Sequence, residues 1–150
     1  MKAITLTQPW ATLWALGIKQ VETRSWSTRY RGLLAIHASR ELDKYSWSEI
    51  SEDLRKARAS AMLERCIHFP LSAIVGVVDL VDVVPMTHEY LAGVGLIERA
   101  LGNFDVGRRA WIAANPRALA EPIPVPGQRS VWNLPAEIET QVRAQLREAA

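Results

Sequence analysis

The run Ala73–Val84, AIVGVVDLVDVV, sets the first limit on the fold. It is the most β-rich stretch of the chain, since branched Cβ atoms suit a pleated surface better than a helix. Gly76 within it marks a bulge or bend, and Asp79 and Asp82 interrupt it as turn or edge acids, one of which is free to face a cleft. Shorter strand-like runs surround it at Lys2–Leu6, Val21–Trp26, Leu33–Ala38, Arg108–Ala114 and Ser130–Pro135. Asn115-Pro116 ends the fourth of these. Pro122, Pro124 and Pro126 then force an extended backbone that is poor at ladder pairing.

Helical patterns separate the strands without a regular strand–helix–strand rhythm. Thr7 is a candidate cap for a helix over 8–16, with Pro9 in its first turn and Gly17 as the C-terminal stop. Trp10 and Trp14 lie four apart on that helix, suited to core or cleft wall, or to stacking a base. Ile50, Leu54, Ala57 and Ala61 recur at helical spacing inside the polar segment 41–66. A short helix fits within 87–99, punctuated by Gly93 and Gly95, and a polar amphipathic helix fits 136–148. In a chain of 150 residues this predicts one α+β domain: a mostly antiparallel sheet, curled or closed into a small barrel, with helices packed around it. Val21–Trp26 and Leu33–Ala38, joined by a polar turn, are expected to pair as a hairpin.

The chemistry concentrates at Gly17-Ile18-Lys19-Gln20-Val21-Glu22-Thr23-Arg24. Strand alternation puts Glu22, Arg24 and Trp26 on one face and Val21, Thr23 and Ser25 on the other, with Lys19 in the turn at the strand's entrance. Such a group can bind an anion or a polar base edge, or move a proton if burial shifts a pKa. A plain surface ion pair fits the same spacing. Residues 1–40 carry Lys2, Lys19, Arg24, Arg29, Arg31 and Arg40 against one acid, Glu22, a net +5 in a chain whose total is +2. The basic excess thus coincides with the motif, as an anion-binding surface would.

Other chemistry is missing. His37, His68 and His88 are far apart and lack metal-ligand spacing, and no phosphate-cradling loop or nucleophile elbow occurs. No metal and no cofactor is expected. Cys66, the single cysteine, reads as a small buried hydrophobe and fits a reducing compartment. The start lacks the apolar run of a signal peptide and no stretch is long enough to span a membrane, so a cytoplasmic location is expected. His37 ends a strand near other polar groups and is a secondary site candidate.

Taken together, these pieces resemble the ASCH domain family, a relative of the PUA-like β-barrels. The matching residues are Gly17-x-Lys19-x-x-Glu22-x-Arg24, the Leu6-Thr7-Gln8-Pro9-Trp10 entry, Arg31-Gly32 before His37-Ala38-Ser39, the block from Gly102-Asn103-Phe104 to Trp111, and Gly127 with Trp132-Asn133-Leu134-Pro135. The resemblance spans almost the whole chain and implies a single domain over 1–150 with a cleft between barrel and helices. It further implies a role linked to RNA or modified nucleosides. A small bacterial member is an amidohydrolase of acetylcytidine that uses the signature lysine, a threonine and a glutamate; other members have been proposed as ribonucleases or RNA-binding coregulator modules. Carried onto this chain, that lysine is Lys19, while the threonine's position holds Glu22. Thr23 is adjacent but alternates to the opposite face.

The resemblance supports three readings. In the first, Arg24 and Lys19 hold RNA or a nucleoside, Trp26 or Trp111 stacks the base, and Arg31, His37, Ser39 and Asn103 complete the binding surface. In the second, Lys19 and Glu22 are catalytic in a metal-independent hydrolase that acts on acylated cytidine or on RNA. The third is a protein-interaction domain whose charged cleft is a structural ion network.

Overall fold

The computed structural model describes residues 1–150. Its centre is strand β3 (Gly32–Leu42), whose Leu34–Ala38 stretch is buried residue by residue on both faces. A strand apolar on both sides needs a neighbour on each edge, and β3 has two. It pairs in parallel with β1 (Lys2–Gln8) and antiparallel with β4 (Ala73–Pro85). β4 pairs with β5 (Arg109–Pro124), β5 with β2 (Val21–Arg24), and β1 with β6 (Val131–Asn133), all antiparallel. The sheet order is β2-β5-β4-β3-β1-β6.

Helices cover both faces. Alternation along β1 and β3 sends Ile4, Leu6, Leu34 and Ile36 to one side, where they pack on Trp14 and Ala15 of α1 (Trp10–Ala15) and on Trp111. Ala3 and Ala35 point the other way, to Trp132 and to Ile138 and Val142 of α6 (Ala136–Glu148). A third cluster joins Leu13 and Ile18 to Ile50 and Leu54 of α2 (Lys44–Lys56), beside α3 (Ser60–Glu64). α4 (His88–Ala92) and α5 (Leu96–Ala100) link β4 to β5, with Thr87 capping α4 by accepting the Tyr90 N–H at 3.1 Å. No helix is long and apolar enough to cross a membrane.

Several expectations are corrected. The sheet is open: β2 and β6 are its two ends, of four and three residues, and no ladder joins them into a closed barrel. The β2–β3 hairpin does not form, because β5 and β4 lie between those strands. β5 does not stop at Asn115-Pro116 but runs on to Pro124. β2 covers only Arg109–Ile112, so Pro116, Pro122 and Pro124 lie where β5 has one free edge, and that edge accommodates a missing N–H. The amphipathic helix ends at Lys56, leaving Ala57 and Ala61 exposed, since Arg58 takes a left-handed φ of 58°. Thr7 does not cap α1. The N-cap position is Pro9, and Gln8 before it serves the first turn, its Oε1 accepting the Thr12 N–H at 3.0 Å while its Nε2 donates to Thr12 Oγ1 at 2.8 Å.

Candidate functional site

The turn after α1 builds the site. Gly17, at φ 70°, reverses the chain as its pattern predicted, and the Ile18 and Lys19 N–H groups both donate to the Leu13 carbonyl, at 3.0 and 3.1 Å. This tucks Lys19 inward until 1% of it is exposed. Its Nζ donates to Glu22 Oε1 at 2.6 Å, and the same oxygen accepts the Thr23 N–H at 2.6 Å. The surface-pair alternative is thereby excluded, because the two side chains are 0% and 6% exposed. Glu98 of α5 fixes the turn from outside by accepting the Gln20 and Val21 N–H groups at 3.0 and 2.9 Å. Burial holds the Glu98 carboxyl above its ordinary range, against those two hydrogen bonds and the Lys19 charge, which pull it down.

The buried pair stands between two recesses of about 230 Å³ each. Lys19 borders one, with Trp14, Gln20 and Pro116. Glu22 borders the other, the signature cleft, with Thr7, Trp10, Arg24, Asn103 and Arg108. Thr23 borders it too, although alternation predicted the opposite face. β2 is an edge strand, so the cleft wraps around its end and meets residues of both faces. Arg108 reaches across from the start of β5 to donate from Nη2 to the Thr23 carbonyl at 3.1 Å. Its Nε is buried and has no partner.

The tryptophans divide differently from expectation. Trp111 is 0% exposed and packs in the core, its Nε1–H donating to the Trp26 carbonyl at 3.2 Å, so neither ring face is open to a base. Trp26 meets it edge to face, with centroids 4.9 Å apart, and Arg24 Cζ lies 5.4 Å from the Trp26 ring centroid. Trp10 is the partly exposed aromatic that borders the signature cleft. Arg31 borders neither this cleft nor the one at His37; it pairs with Asp82 at 3.0 Å on the surface.

His37 and Ser39 border a separate, larger cleft of about 920 Å³ at the far end of β3, together with Thr5, Arg40, Glu41 and the loop Pro124–Arg129. His37 is 1% exposed. Its Nε2 lies 2.8 Å from the Val125 carbonyl, which only accepts, so Nε2 carries the proton and Nδ1 is left without a partner. Burial pushes the imidazole pKa below its usual value, with the Val125 hydrogen bond acting against that. The two clefts meet at Thr7, which borders both.

Sequence reasoning left out Thr7 and Arg108 as site residues, offered Trp10 only as core, cleft wall or a base-stacking residue, and set Thr23 on the opposite face. Trp10 carried the one local signal, an aromatic one residue past a helix-starting proline. Arg108 carried none, since it reaches Thr23 only through the β2–β5 pairing across 85 positions. No group of three or more His, Cys, Asp or Glu side chains is arranged to hold a metal ion. Cys66 behaves as a buried hydrophobe, with burial pushing its thiol up to about 11 against the opposing Arg65 charge.

Comparison with known proteins is consistent with this geometry. The model of the ASCH domain matches residues 4–123. Activating signal cointegrator 1 from Mus musculus and from Homo sapiens are each 29% identical over 136 residues, which is 90% of this chain. The chain spans 22% of the length of those relatives. The crystal structure of ASCH from Zymomonas mobilis superposes with a TM-score of 0.57 at 17% identity, covering 97% of this chain and 94% of that one. A point-mutant structure of the same protein gives 0.54 at 15% identity, covering 95% and 96%.

Proposed function

The chain belongs to the ASCH domain family, and on that premise we propose that its signature cleft binds RNA or a modified nucleoside. One observation carries the reading. Arg108 borders the same small cleft as Arg24 and Trp10, and its Nε–H is buried without a partner. A guanidinium donor without a partner costs free energy in the unliganded protein, and a shift of the side chain toward an anionic oxygen in the cleft would relieve it. Phosphate or a base carbonyl supplies that oxygen, while the indole of Trp10 offers a face for the base. Asn103 and the Thr7 and Thr23 hydroxyls add neutral donors and acceptors of the kind that read base edges.

Hydrolysis is the second reading, favoured by the Lys19–Glu22 contact at 2.6 Å and by the place of Glu22 on the cleft wall. Held by Lys19, the Glu22 carboxylate would accept a proton from a water attacking the amide carbonyl of an acylated cytidine. The carbonyl carbon to nitrogen bond would then break and the proton would pass to the leaving exocyclic nitrogen. The same base acting on a ribose hydroxyl gives the ribonuclease variant. The third reading, a protein-interaction domain, keeps the ion pair purely structural.

One experiment separates them. Purified protein is incubated with acetylcytidine and with short RNAs, products are followed by chromatography, and binding is followed by calorimetry. The binding reading expects saturable, salt-dependent association that Trp10→Ala and Arg108→Gln weaken, with no product formed. A deacylated or cleaved product, lost in Glu22→Gln while binding persists, makes this an enzyme. Absence of both binding and product leaves the interaction domain.

A further inference from the structure

Building on the signature cleft as a nucleotide seat, we infer that the His37 cleft holds the next nucleotide of the same strand, so that the ligand is a single-stranded polynucleotide and not a lone nucleoside. The two clefts share Thr7 as a common wall. A strand leaving Trp10 and Arg108 therefore passes over Thr7 directly into the larger cleft. At about 920 Å³ that cleft lies within the range of preformed ligand sites, while 230 Å³ leaves the signature cleft room for little more than one base.

The lining has the chemistry of a backbone track. Arg40 and Arg129 stand at the rim, exposed and outside every ion pair of the molecule, while Glu41 is the single acid there. Ser39, Ser72 and Gln128 add uncharged polar side chains. Such a rim binds phosphate by charge and leaves the ribose and base to hydroxyl and amide contacts.

The cleft is built, and is no accident of a loose loop. Val125 anchors the Pro124–Arg129 loop twice, its N–H donating to the Ser72 carbonyl at 3.1 Å and its carbonyl accepting from His37 at 2.8 Å. Gly127 lies against the imidazole so closely that a Cβ there would sit 2.5 Å from Cε1 and 2.7 Å from Nδ1. Any other residue would push the loop, and Arg129 with it, off the ring. The His37 Nδ1 under Gly127 is buried and has no protein partner. A duplex does not fit this arrangement, because its bases are stacked inside and cannot reach a platform such as Trp10.

The test is a length series. Affinities of a mononucleotide, a trinucleotide, a pentanucleotide and a hairpin duplex are measured by calorimetry for the wild-type chain and for the Arg40→Ala, Arg129→Ala double variant. The inference expects at least about tenfold tighter binding of the trinucleotide than of the mononucleotide, and weaker binding of the duplex. The double variant should lose that gain and keep mononucleotide affinity within about twofold. Its salt slope for the trinucleotide should shrink by about 1.4, for two lost phosphate contacts at roughly 0.7 each. Mononucleotide binding with no gain on lengthening, or a gain that survives the double variant, overturns the inference and leaves the signature cleft intact. If the wild-type chain binds neither mononucleotide nor trinucleotide, the nucleotide reading of the signature cleft falls and the inference falls with it.

Discussion

Lys19–Glu22 and Arg31–Asp82 are both contacts between a cation and a carboxylate, at 2.6 and 3.0 Å, yet they stand at opposite ends of solvent access. The first is enclosed between two recesses and shares its carboxylate oxygen with the Thr23 N–H. The second has side chains 39% and 54% exposed, and water and salt compete for each partner. Distance barely distinguishes them. What separates them is the energy of the state left behind when one partner is removed: a buried charge without a counter-charge in one case, a hydrated one in the other.

The largest expected effect tests that contrast head on. Lys19→Ala or Glu22→Ala should lower stability by about 3–5 kcal/mol in urea unfolding, because the surviving charge stays buried. Lys19→Met combined with Glu22→Leu should recover most of the loss. A double variant no more stable than either single one would show that the pair itself, and not the orphaned charge, holds the turn. Next in size, Trp10→Ala should weaken RNA or nucleoside binding by about 1–3 kcal/mol, read by calorimetry, and should also lower the unfolding midpoint, because Trp10 packs against the Leu13, Ile18 and Leu54 cluster. Unchanged affinity in a folded Trp10→Ala variant would remove Trp10 from the binding surface.

A third prediction contrasts His37 with both pairs, since it is buried with no counter-charge. Its folded-state pKa is lowered, so below an unfolded value of about 6.5 the unfolded chain binds the proton more readily. Stability contributed by the neutral ring is therefore complete above that value and is lost as pH falls toward the folded pKa. Arg40, Glu41 and Arg129 are the charged groups around its cleft. His37→Gln should flatten the pH dependence of the unfolding midpoint between pH 7 and 5, and an unchanged slope would assign it to other groups. The smallest effect belongs to Arg31→Ala, for which no shift in the midpoint is expected. Asp82 keeps the Val83 N–H, the main cause of its lowered pKa, after Arg31 is gone.

The contrast also explains what the chain disclosed before its structure. The helix at Trp10, its stop at Gly17, the strand at Val21 and the long β4 run were legible because each follows from a local rule: a turn that wants positive φ, an alternation, a branched-residue run. Lys19, Glu22 and Arg24 were legible as a group because they are near neighbours. Burial of the Lys19–Glu22 pair was not, since spacing of three residues describes a surface pair equally well. Trp26 and Trp111 were chosen as stacking platforms for being aromatic and near the motif. The β2–β5 ladder instead seals Trp111 in the core and leaves Trp10 on the cleft.

The sequence by itself determined where most strands and helices begin, the α+β character, the signature turn and the likeness to a family. Tertiary structure alone decided that the sheet stays open, that β5 and not β3 is the neighbour of β2, and that Arg108 and Trp10 join Glu22 and Arg24 while His37 commands a second cleft. The reason is physical. Local rules act over a few residues, where backbone sterics and side-chain periodicity dominate. Strand order and burial are settled by which apolar faces cover one another across the whole chain, and no short window contains that choice.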